Sequence, residues 1–242
     1  MQIAGYLKTS LIEWPGLISS VVFTPGCNFR CPFCHNPELI NLSGKSKLLK
    51  EEEIISDLEK RKQWVDAVAI TGGEPTLQKD LPEFLKKLKK MGYQIMVETN
   101  GSKPEVLKTL FKESLVDFIG MDLKGNFEDY DKYAGIQDSK LEIRNLNSKL
   151  KNSIEEIIKS GLKYELRTTV VPGLHTKDNL IELAEDIREI SGNCSWYLQQ
   201  FRSTSCLNPE FTKLKPFSKE EMENFQKIFK KHFPQVFLRG VY

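Results

Sequence analysis

The sequence lacks any apolar run long enough to span a membrane, and it lacks an excess of charge of either sign. Its 35 Lys and Arg residues nearly balance its 33 Asp and Glu residues, which leaves a net charge of +2. A charge this small gives no indication of binding to nucleic acid or to a membrane surface. The first residues also lack the charged and then apolar pattern of a signal peptide, so we expect a cytoplasmic protein with reduced thiols.

Cysteine is scarce as well, but its distribution is the most informative feature of the chain. Only five cysteines occur, and Cys27, Cys31 and Cys34 fall within one short segment, with gaps of three and two residues. This spacing places three thiols on one loop, close enough to bind a single metal cluster. A closed iron–sulfur cluster takes four cysteine ligands, so three thiolates leave one position for another ligand.

Two other interpretations of the cysteines stay open at this stage. A zinc site formed with His35 has suitable ligand types, although His35 directly follows Cys34 and adjacent residues rarely reach one tetrahedral ion together. Disulfides are disfavoured, because three close thiols and five thiols in total are both odd numbers. Cys194 and Cys206 are isolated in the sequence, and we interpret them as packed or surface side chains.

Apolar, β-branched runs alternate with helical patterns from about residue 18 to the end of the chain. The predicted strands cover residues 18–24, 65–71, 94–99, 115–123, 163–171 and 195–201, with a short last strand at 235–239. Alternating strands and helices predict parallel pairing through right-handed crossovers. Six main β/α units are too few for a closed eight-stranded barrel. We therefore expect an α/β fold of the partial (β/α)6 TIM type, in a single domain over residues 1–242.

The segment 125–149 gives the weakest structural pattern of the chain, and we interpret it as a long loop that is either functional or an inert surface excursion. The following helix is predicted over residues 153–160. Other helix starts are predicted at three places, namely Asp80, Thr176 and the pair Ser218 and Glu221.

Polar and glycine-rich runs follow the predicted strands at the ends where barrels of this type carry their active sites. The runs are Thr71-Gly72-Gly73-Glu74-Pro75, Glu98-Thr99-Asn100-Gly101 and Asp122-Leu123-Lys124, and Arg167 lies on the fifth predicted strand. Each run by itself is also compatible with a turn. Their repetition after successive strands predicts one shared site, in which Asp122 and Lys124 lie on the same face because they are one strand period apart.

The spacing of Cys27, Cys31 and Cys34 resembles the signature of the radical S-adenosylmethionine (SAM) enzymes. The resemblance implies the radical SAM fold and a [4Fe-4S] cluster in which these thiolates hold three irons. It also implies that the fourth iron takes the amino and carboxylate groups of SAM. The cysteines would then be ligands in the electron path and not nucleophiles.

The same resemblance assigns SAM contacts outside the cysteine segment. Gly72-Gly73-Glu74-Pro75 resembles a motif whose backbone and glutamate receive the methionyl amino group. Phe33 resembles the aromatic residue that meets the adenine. Asp122 and Lys124 resemble an Asp-x-Lys pair that contacts the methionyl carboxylate and the ribose region, and a salt bridge at a strand end is the alternative.

Three further residues complete the cofactor-binding set. His35 belongs to it through its place beside the third cysteine. Glu98 could join Asp122 around a cation beside the SAM carboxylate. Arg167 either binds a carboxylate bidentately or pairs with a neighbour.

The segment after the third cysteine narrows the resemblance. Cys34-His35-Asn36-Pro37-Glu38-Leu39 resembles the glycyl-radical-enzyme activases, and residues 5–16 and 23–27 resemble the activating protein of anaerobic ribonucleoside-triphosphate reductase. This implies reductive cleavage of SAM to methionine and a 5′-deoxyadenosyl radical, which takes a hydrogen from a glycine of the partner enzyme. It also implies a flavodoxin- or ferredoxin-type electron donor, with no nucleic-acid or membrane partner.

The sequence departs from the activases in two respects, and other functions stay open. Arg202 stands where some activases carry a His, and the ferredoxin-like insertion of larger activases is missing. The alternatives are an activase of the pyruvate formate-lyase type, a small-molecule enzyme such as 7-carboxy-7-deazaguanine synthase, and a non-catalytic zinc module. The His-Asn-Pro-Glu run after Cys34 argues against the small-molecule enzyme.

Overall fold

The computed structural model describes residues 1–41, 48–137, 140–192 and 194–241. The chain forms two compact units that alternate along the sequence. The first comprises Met1–Asn28, Glu38–Thr99 and Glu105–Gly120, and the second comprises Phe29–Pro37, Asn100–Pro104 and Met121–Tyr242. The expectation of a single domain over residues 1–242 stays a prediction.

The first unit is built on strands whose two faces are both covered. β1 (Gly5–Ser10) pairs antiparallel with β2 (Ser19–Thr24), while β2, β3 (Ala67–Gly72) and β4 (Gln94–Thr99) pair in parallel and in chain order. All side chains of the run 67–70 are fully buried, although successive side chains point to opposite faces. Burial on both faces explains why these strands appear in the sequence as continuous apolar runs.

The core of the first unit includes a cluster on this sheet. Its buried members are Trp14, Val21, Ala67, Ala69 and Met96. β5 (Phe118–Asp122) begins in the same unit, and the Phe118 ring centroid lies 5.4 Å from that of Trp14. The loop that connects β1 and β2 is thereby held against the start of β5.

Helices α1 to α4 fall almost wholly in the first unit. They are α1 (Pro37–Ile40), α2 (Glu51–Arg61), α3 (Leu81–Lys90) and α4 (Pro104–Lys112). The buried residues of α3 recur at helical spacing and are Leu81, Phe84, Leu85 and Leu88. Asp80 precedes α3 as predicted, but its side chain makes no capping hydrogen bond and instead pairs with the Met1 amino group at 3.0 Å.

The second unit carries a set of parallel strands of its own. β6 (Lys163–Val170), β7 (Trp196–Gln200) and β8 (Val236–Arg239) pair in chain order. The helices of the unit are α5 (Tyr130–Ala134), α6 (Lys140–Ser160), α7 (Lys177–Ser191) and α8 (Lys219–Phe229). The Leu123 N–H donates to the Arg167 carbonyl at 2.8 Å, so the chain that leaves β5 runs beside β6.

Two predicted helix starts in the second unit are confirmed as capping boxes. At α7 the Thr176 and Asn179 side chains each accept from the other residue's N–H. At α8 Ser218 and Glu221 do the same. Each box satisfies backbone donors that the first turn of a helix leaves without partners.

The prediction that strands begin near residue 18 is wrong, because β1 precedes that position. Three of the six β1 side chains are exposed, and Ser10 is its one buried residue. An antiparallel edge strand with so little burial gives no apolar run, which is why the sequence pattern did not indicate it.

The prediction of a loop over residues 125–149 is also wrong in its described part. This range contains α5, and α6 begins at Lys140 instead of near residue 153. Residues 138–139 lie outside the described residues. Leu150, Ile154 and Ile157 are fully buried at helical spacing, and Leu146 continues that stripe towards the start of α6. The charged and amide residues around Leu146 obscured the stripe in the sequence.

The α/β class with mostly parallel strands is confirmed. In the described ranges, none of the helices combines the length and apolar character needed to cross a membrane.

Candidate active site

The cysteine segment follows β2 and carries reduced thiols. All five cysteines lie in the described ranges, and none of them forms a disulfide. The Cys34 N–H donates to the Cys31 carbonyl at 3.0 Å, which closes a turn between these two cysteines. Within the part of the chain that the structure describes, no three Cys, His, Asp or Glu side chains already surround a common metal position.

The chemistry around Cys31 fits a thiolate that ligates a cluster. Cys31 is buried in the second unit, where Lys124 interacts with it electrostatically. Burial alone would lower the pKa of Lys124, but the negative charges of Asp122 and Cys31 raise this pKa well above its usual value. A nearby ammonium favours the thiolate, which is the form of cysteine that binds metal. The donor set of this segment therefore suits an iron–sulfur cluster.

The glycine pair after β3 packs directly on the backbone that leads into the cysteine segment. The Glu74 N–H donates to the Gly26 carbonyl at 2.7 Å, and Gly26 directly precedes Cys27. A Cβ atom at Gly73 would overlap this same carbonyl. Gly73 is therefore required by a close backbone contact with the residue that precedes Cys27.

Glu74 is buried and accepts hydrogen bonds from donors of the first unit. Its Oε1 accepts from the Thr76 N–H at 3.1 Å, from the Thr76 hydroxyl, and from the Thr99 hydroxyl at 2.8 Å. Only 1% of the residue is exposed. Glu98 accepts from the Thr71 hydroxyl at 2.7 Å, so it also lies at the carboxyl ends of β3 and β4. The Glu74 carboxylate thus joins the glycine loop to the end of β4.

Asp122, Lys124 and Arg167 form one ion-pair group in the second unit. Asp122 accepts from Arg167 Nε through Oδ1 at 2.9 Å, and from Lys124 Nζ through Oδ2 at 3.0 Å. Burial would raise the pKa of Asp122, but the charges of Arg167 and Lys124 outweigh it and lower this pKa to about 2. The predicted common face of Asp122 and Lys124 is confirmed by this geometry. One carboxylate is thus shared by two cationic side chains at the end of β5.

Two residues that the sequence did not single out hold the main chain of Lys124. The Lys124 N–H donates to the Tyr130 hydroxyl at 3.2 Å, and His175 Nε2 lies 2.8 Å from the Lys124 carbonyl. The His175 ring stacks on Tyr133, with centroids 5.0 Å apart, and meets the Phe33 ring edge-on at 6.2 Å. The one signal for His175 was its place two residues after the Val171-Pro172-Gly173 strand end, in a chain with three histidines.

His35 lies in the second unit beside the loop that follows β7. His35 Nδ1 is 3.2 Å from the Ser205 carbonyl, and its ring stacks on Phe201 at 5.9 Å. Burial lowers the pKa of His35, and the positive charges of Arg202 and Lys124 lower it further. The charges of Arg202 and Lys124 therefore add to burial in disfavouring protonation of the His35 ring.

The chain matches known proteins over most of its length. The radical SAM superfamily matches residues 21–189. A protein of Methanocaldococcus jannaschii, whose name describes a glycyl-radical enzyme activating enzyme, is 33% identical over 99% of this chain and 96% of its own length. The pyruvate formate-lyase-activating enzyme of Clostridium pasteurianum is 32% identical over 74% of this chain and 73% of its own length.

The fold also matches a solved structure at low sequence identity. The crystal structure of Streptococcus suis SuiB bound to the precursor peptide SuiA covers 91% of this chain and 48% of SuiB, with a TM-score of 0.68 and 16% identity. The predicted radical SAM fold is thereby confirmed. The chain belongs to the radical SAM superfamily, whose members use a [4Fe-4S] cluster and SAM, and it is a homologue of glycyl-radical enzyme activating enzymes.

Proposed function

We propose that this protein is a radical SAM activating enzyme that generates a glycyl radical on anaerobic ribonucleoside-triphosphate reductase. The proposal is supported by the relative that matches almost the entire chain and whose name describes this class of activating enzyme. The choice of reductase rests on residues 5–16, 23–27 and the Cys34–Leu39 segment. A flavodoxin- or ferredoxin-type protein would supply the electron.

The cysteine segment would hold the cluster through Cys27, Cys31 and Cys34. When bound, the cluster supplies the electron that cleaves SAM into methionine and a 5′-deoxyadenosyl radical. The role of the protein is to bind SAM in one orientation, to keep water away and to admit a glycine of the partner. Two observations support the cysteines as ligands. A turn joins Cys31 to Cys34, and the positive charge of Lys124 lies near Cys31.

The observation that carries the proposal is the ion-pair group at the end of β5. Lys124 and Arg167 both pair with Asp122, and cationic side chains of this kind bind carboxylates such as the methionyl carboxylate of SAM. The other proposed SAM contacts are Phe33, His35, the Gly72–Glu74 backbone and Glu98. Because the carboxylate of Glu74 already has three donors, we expect the backbone of this run to make its contact with the methionyl amino group.

The decisive experiment combines the reconstituted protein with the reductase, SAM and a strong reductant under anaerobic conditions. The electron paramagnetic resonance spectrum should show a glycyl doublet on the reductase, and the doublet should disappear when the reductase glycine is replaced by alanine. SAM cleavage without a doublet would contradict the choice of partner. A doublet on pyruvate formate-lyase instead would assign the protein to that enzyme, and formation of 7-carboxy-7-deazaguanine would overturn the activase proposal.

A further inference from the structure

We propose that His175 is a positioning residue for SAM binding, which fixes the main chain of Lys124 and thereby the direction of the Lys124 ammonium. The inference rests on the proposed SAM site at Asp122 and Lys124. His175 itself is not proposed to touch SAM. It lies on the loop between β6 and α7 with only 3% of its surface exposed, and its ring nitrogens both contact main-chain atoms.

The hydrogen bonds of His175 determine its tautomer. The Val171 N–H donates to Nδ1 at 3.0 Å, so Nδ1 acts as an acceptor and carries no hydrogen. The ring hydrogen must then be on Nε2, which donates to the Lys124 carbonyl at 2.8 Å. Burial lowers the pKa of His175 to about 4, so this neutral tautomer is the form present near neutral pH.

The Lys124 main chain is held on both sides by side chains of other segments. Tyr130 of α5 accepts from its N–H, and His175 donates to its carbonyl. With both backbone atoms fixed, the side chain leaves the backbone in one direction and places its ammonium 3.0 Å from Asp122 Oδ2. A cofactor contact made by a long, flexible side chain gains most from such preorganisation.

Two aromatic rings contact the His175 imidazole, and one of them belongs to the cysteine segment. Tyr133 stacks on it at an interplanar angle of 14°, and Phe33 meets it edge-on at 71°. Tyr133 and Tyr130 belong to the same short helix, α5. At the end of this helix the Ala134 carbonyl accepts from the Arg30 N–H at 2.7 Å, next to Cys31. His175 therefore connects the Lys124 main chain to the segment that carries Phe33 and Cys31.

Three substitutions separate the two hydrogen bonds of His175. His175→Gln places an amide donor near the position of Nε2 and should keep the bond to Lys124. His175→Asn places an acceptor near Nδ1 and should keep only the bond from Val171. His175→Phe keeps the ring and its stacking on Tyr133 but loses both bonds. His232→Gln, at a partly exposed position, is the matched control for loss of a histidine.

The measurement is the SAM dissociation constant of the anaerobically reconstituted protein, determined by calorimetry without reductant, together with iron content and the thermal midpoint. His175→Phe and His175→Asn should weaken SAM binding about tenfold, as expected for loss of one buried hydrogen bond. His175→Gln should stay within about threefold of the parent, and His232→Gln should be unchanged. Iron content should be the same in all variants.

The outcomes distinguish a failure of this inference from a failure of the proposed site. If all three His175 variants bind SAM like the parent while Lys124→Ala binds it weakly, His175 is only structural and the inference is overturned. If Lys124→Ala also binds SAM normally, the proposed SAM site is wrong and the inference fails with it. Should His175→Phe not fold, Tyr130→Phe removes the other bond to the Lys124 main chain, and unchanged SAM affinity in that variant would count against the inference.

Discussion

Arg167 and Asp122 are joined by an Nε–Oδ1 hydrogen bond of 2.9 Å, and only 5% of the Arg167 side chain is exposed. The same Asp122 carboxylate also pairs with Lys124 at 3.0 Å. One carboxylate thus compensates two neighbouring cations, one of which has almost no access to water. Asp122 is therefore an ion-pair partner of both cations.

We predict that Asp122→Asn lowers the free energy of unfolding by about 2 kcal/mol. The substitution removes the carboxylate charge that pairs with the buried Arg167 and with Lys124. The expected loss is below the usual effect of breaking a fully buried pair, because 36% of the Asp122 side chain is exposed. Urea denaturation of the protein without cluster measures it.

A double-mutant cycle provides the control for this prediction. Arg167→Gln should destabilise the parent, but it should have a smaller effect in the Asp122→Asn background, because the ion pair between the two residues is already lost there. Additive effects of the two substitutions would mean that the pair does not interact in solution.

The parts of this site that the sequence predicted follow from strand geometry and strand order. The parts that it did not predict depend on contacts between distant segments of the chain. Asp122 and Lys124 were predicted to share a face because strand geometry alone places them there. Arg167 was placed near them because parallel strands end at the same edge. Both inferences need only local periodicity and the order of strands, which the sequence pattern contains.

The role of His175 could not be predicted in the same way. Its partners are the carbonyl of Lys124, 51 positions earlier in the chain, and the ring of Tyr133 in α5. Main-chain acceptors leave no signature in side-chain patterns, and α5 itself lay in a segment that was interpreted as a loop. Likewise, the hydrogen bonds that hold Glu74 to Thr99 depend on the packing of the first unit and not on the motif.

The buried His175 should make stability depend on pH in a defined window. The unfolded histidine takes up a proton below its usual pKa of 6.5, whereas the folded one does so only below about 4. The unfolded state therefore binds more protons in this window, and stability falls as the pH drops through it, by up to about 3 kcal/mol. Above pH 6.5 the residue makes no pH-dependent contribution.

The comparison of the parent with His175→Gln isolates this contribution. The difference in unfolding free energy between the two proteins should change between pH 6.5 and about 4 and stay constant above pH 6.5. Asp122 does not interfere, because its stabilising effect is lost only below its usual pKa of 3.8, as the pH approaches about 2. Parallel stability curves from pH 7 to 4 would show that His175 is not buried as described.

Cys31→Ala should abolish both the bound cluster and SAM cleavage. Cys194→Ala is the matched control, because Cys194 is also buried but lies beside Ser191, whose hydroxyl is 3.0 Å from its sulfur. Iron and sulfide content after anaerobic reconstitution should fall in the first variant and stay at the parent level in the second. Full SAM cleavage by Cys31→Ala would contradict the ligand assignment.

Gly73→Ala tests whether the glycine loop positions the cysteine segment. A Cβ at Gly73 would overlap the Gly26 carbonyl, a backbone group that cannot move without moving Cys27.

Gly161→Ala is the control, since Gly161 has a φ of +68° but nothing within 4 Å of the place that an alanine methyl group would take. The control should lose only the roughly 1 kcal/mol expected for a left-handed alanine. Gly73→Ala should lose about 1 to 3 kcal/mol through overpacking and should also bind less iron after reconstitution, because its clash displaces the backbone next to Cys27, the proposed ligand. Equal iron content in the two variants would separate the glycine loop from the cluster site and leave Gly73 with a purely structural role.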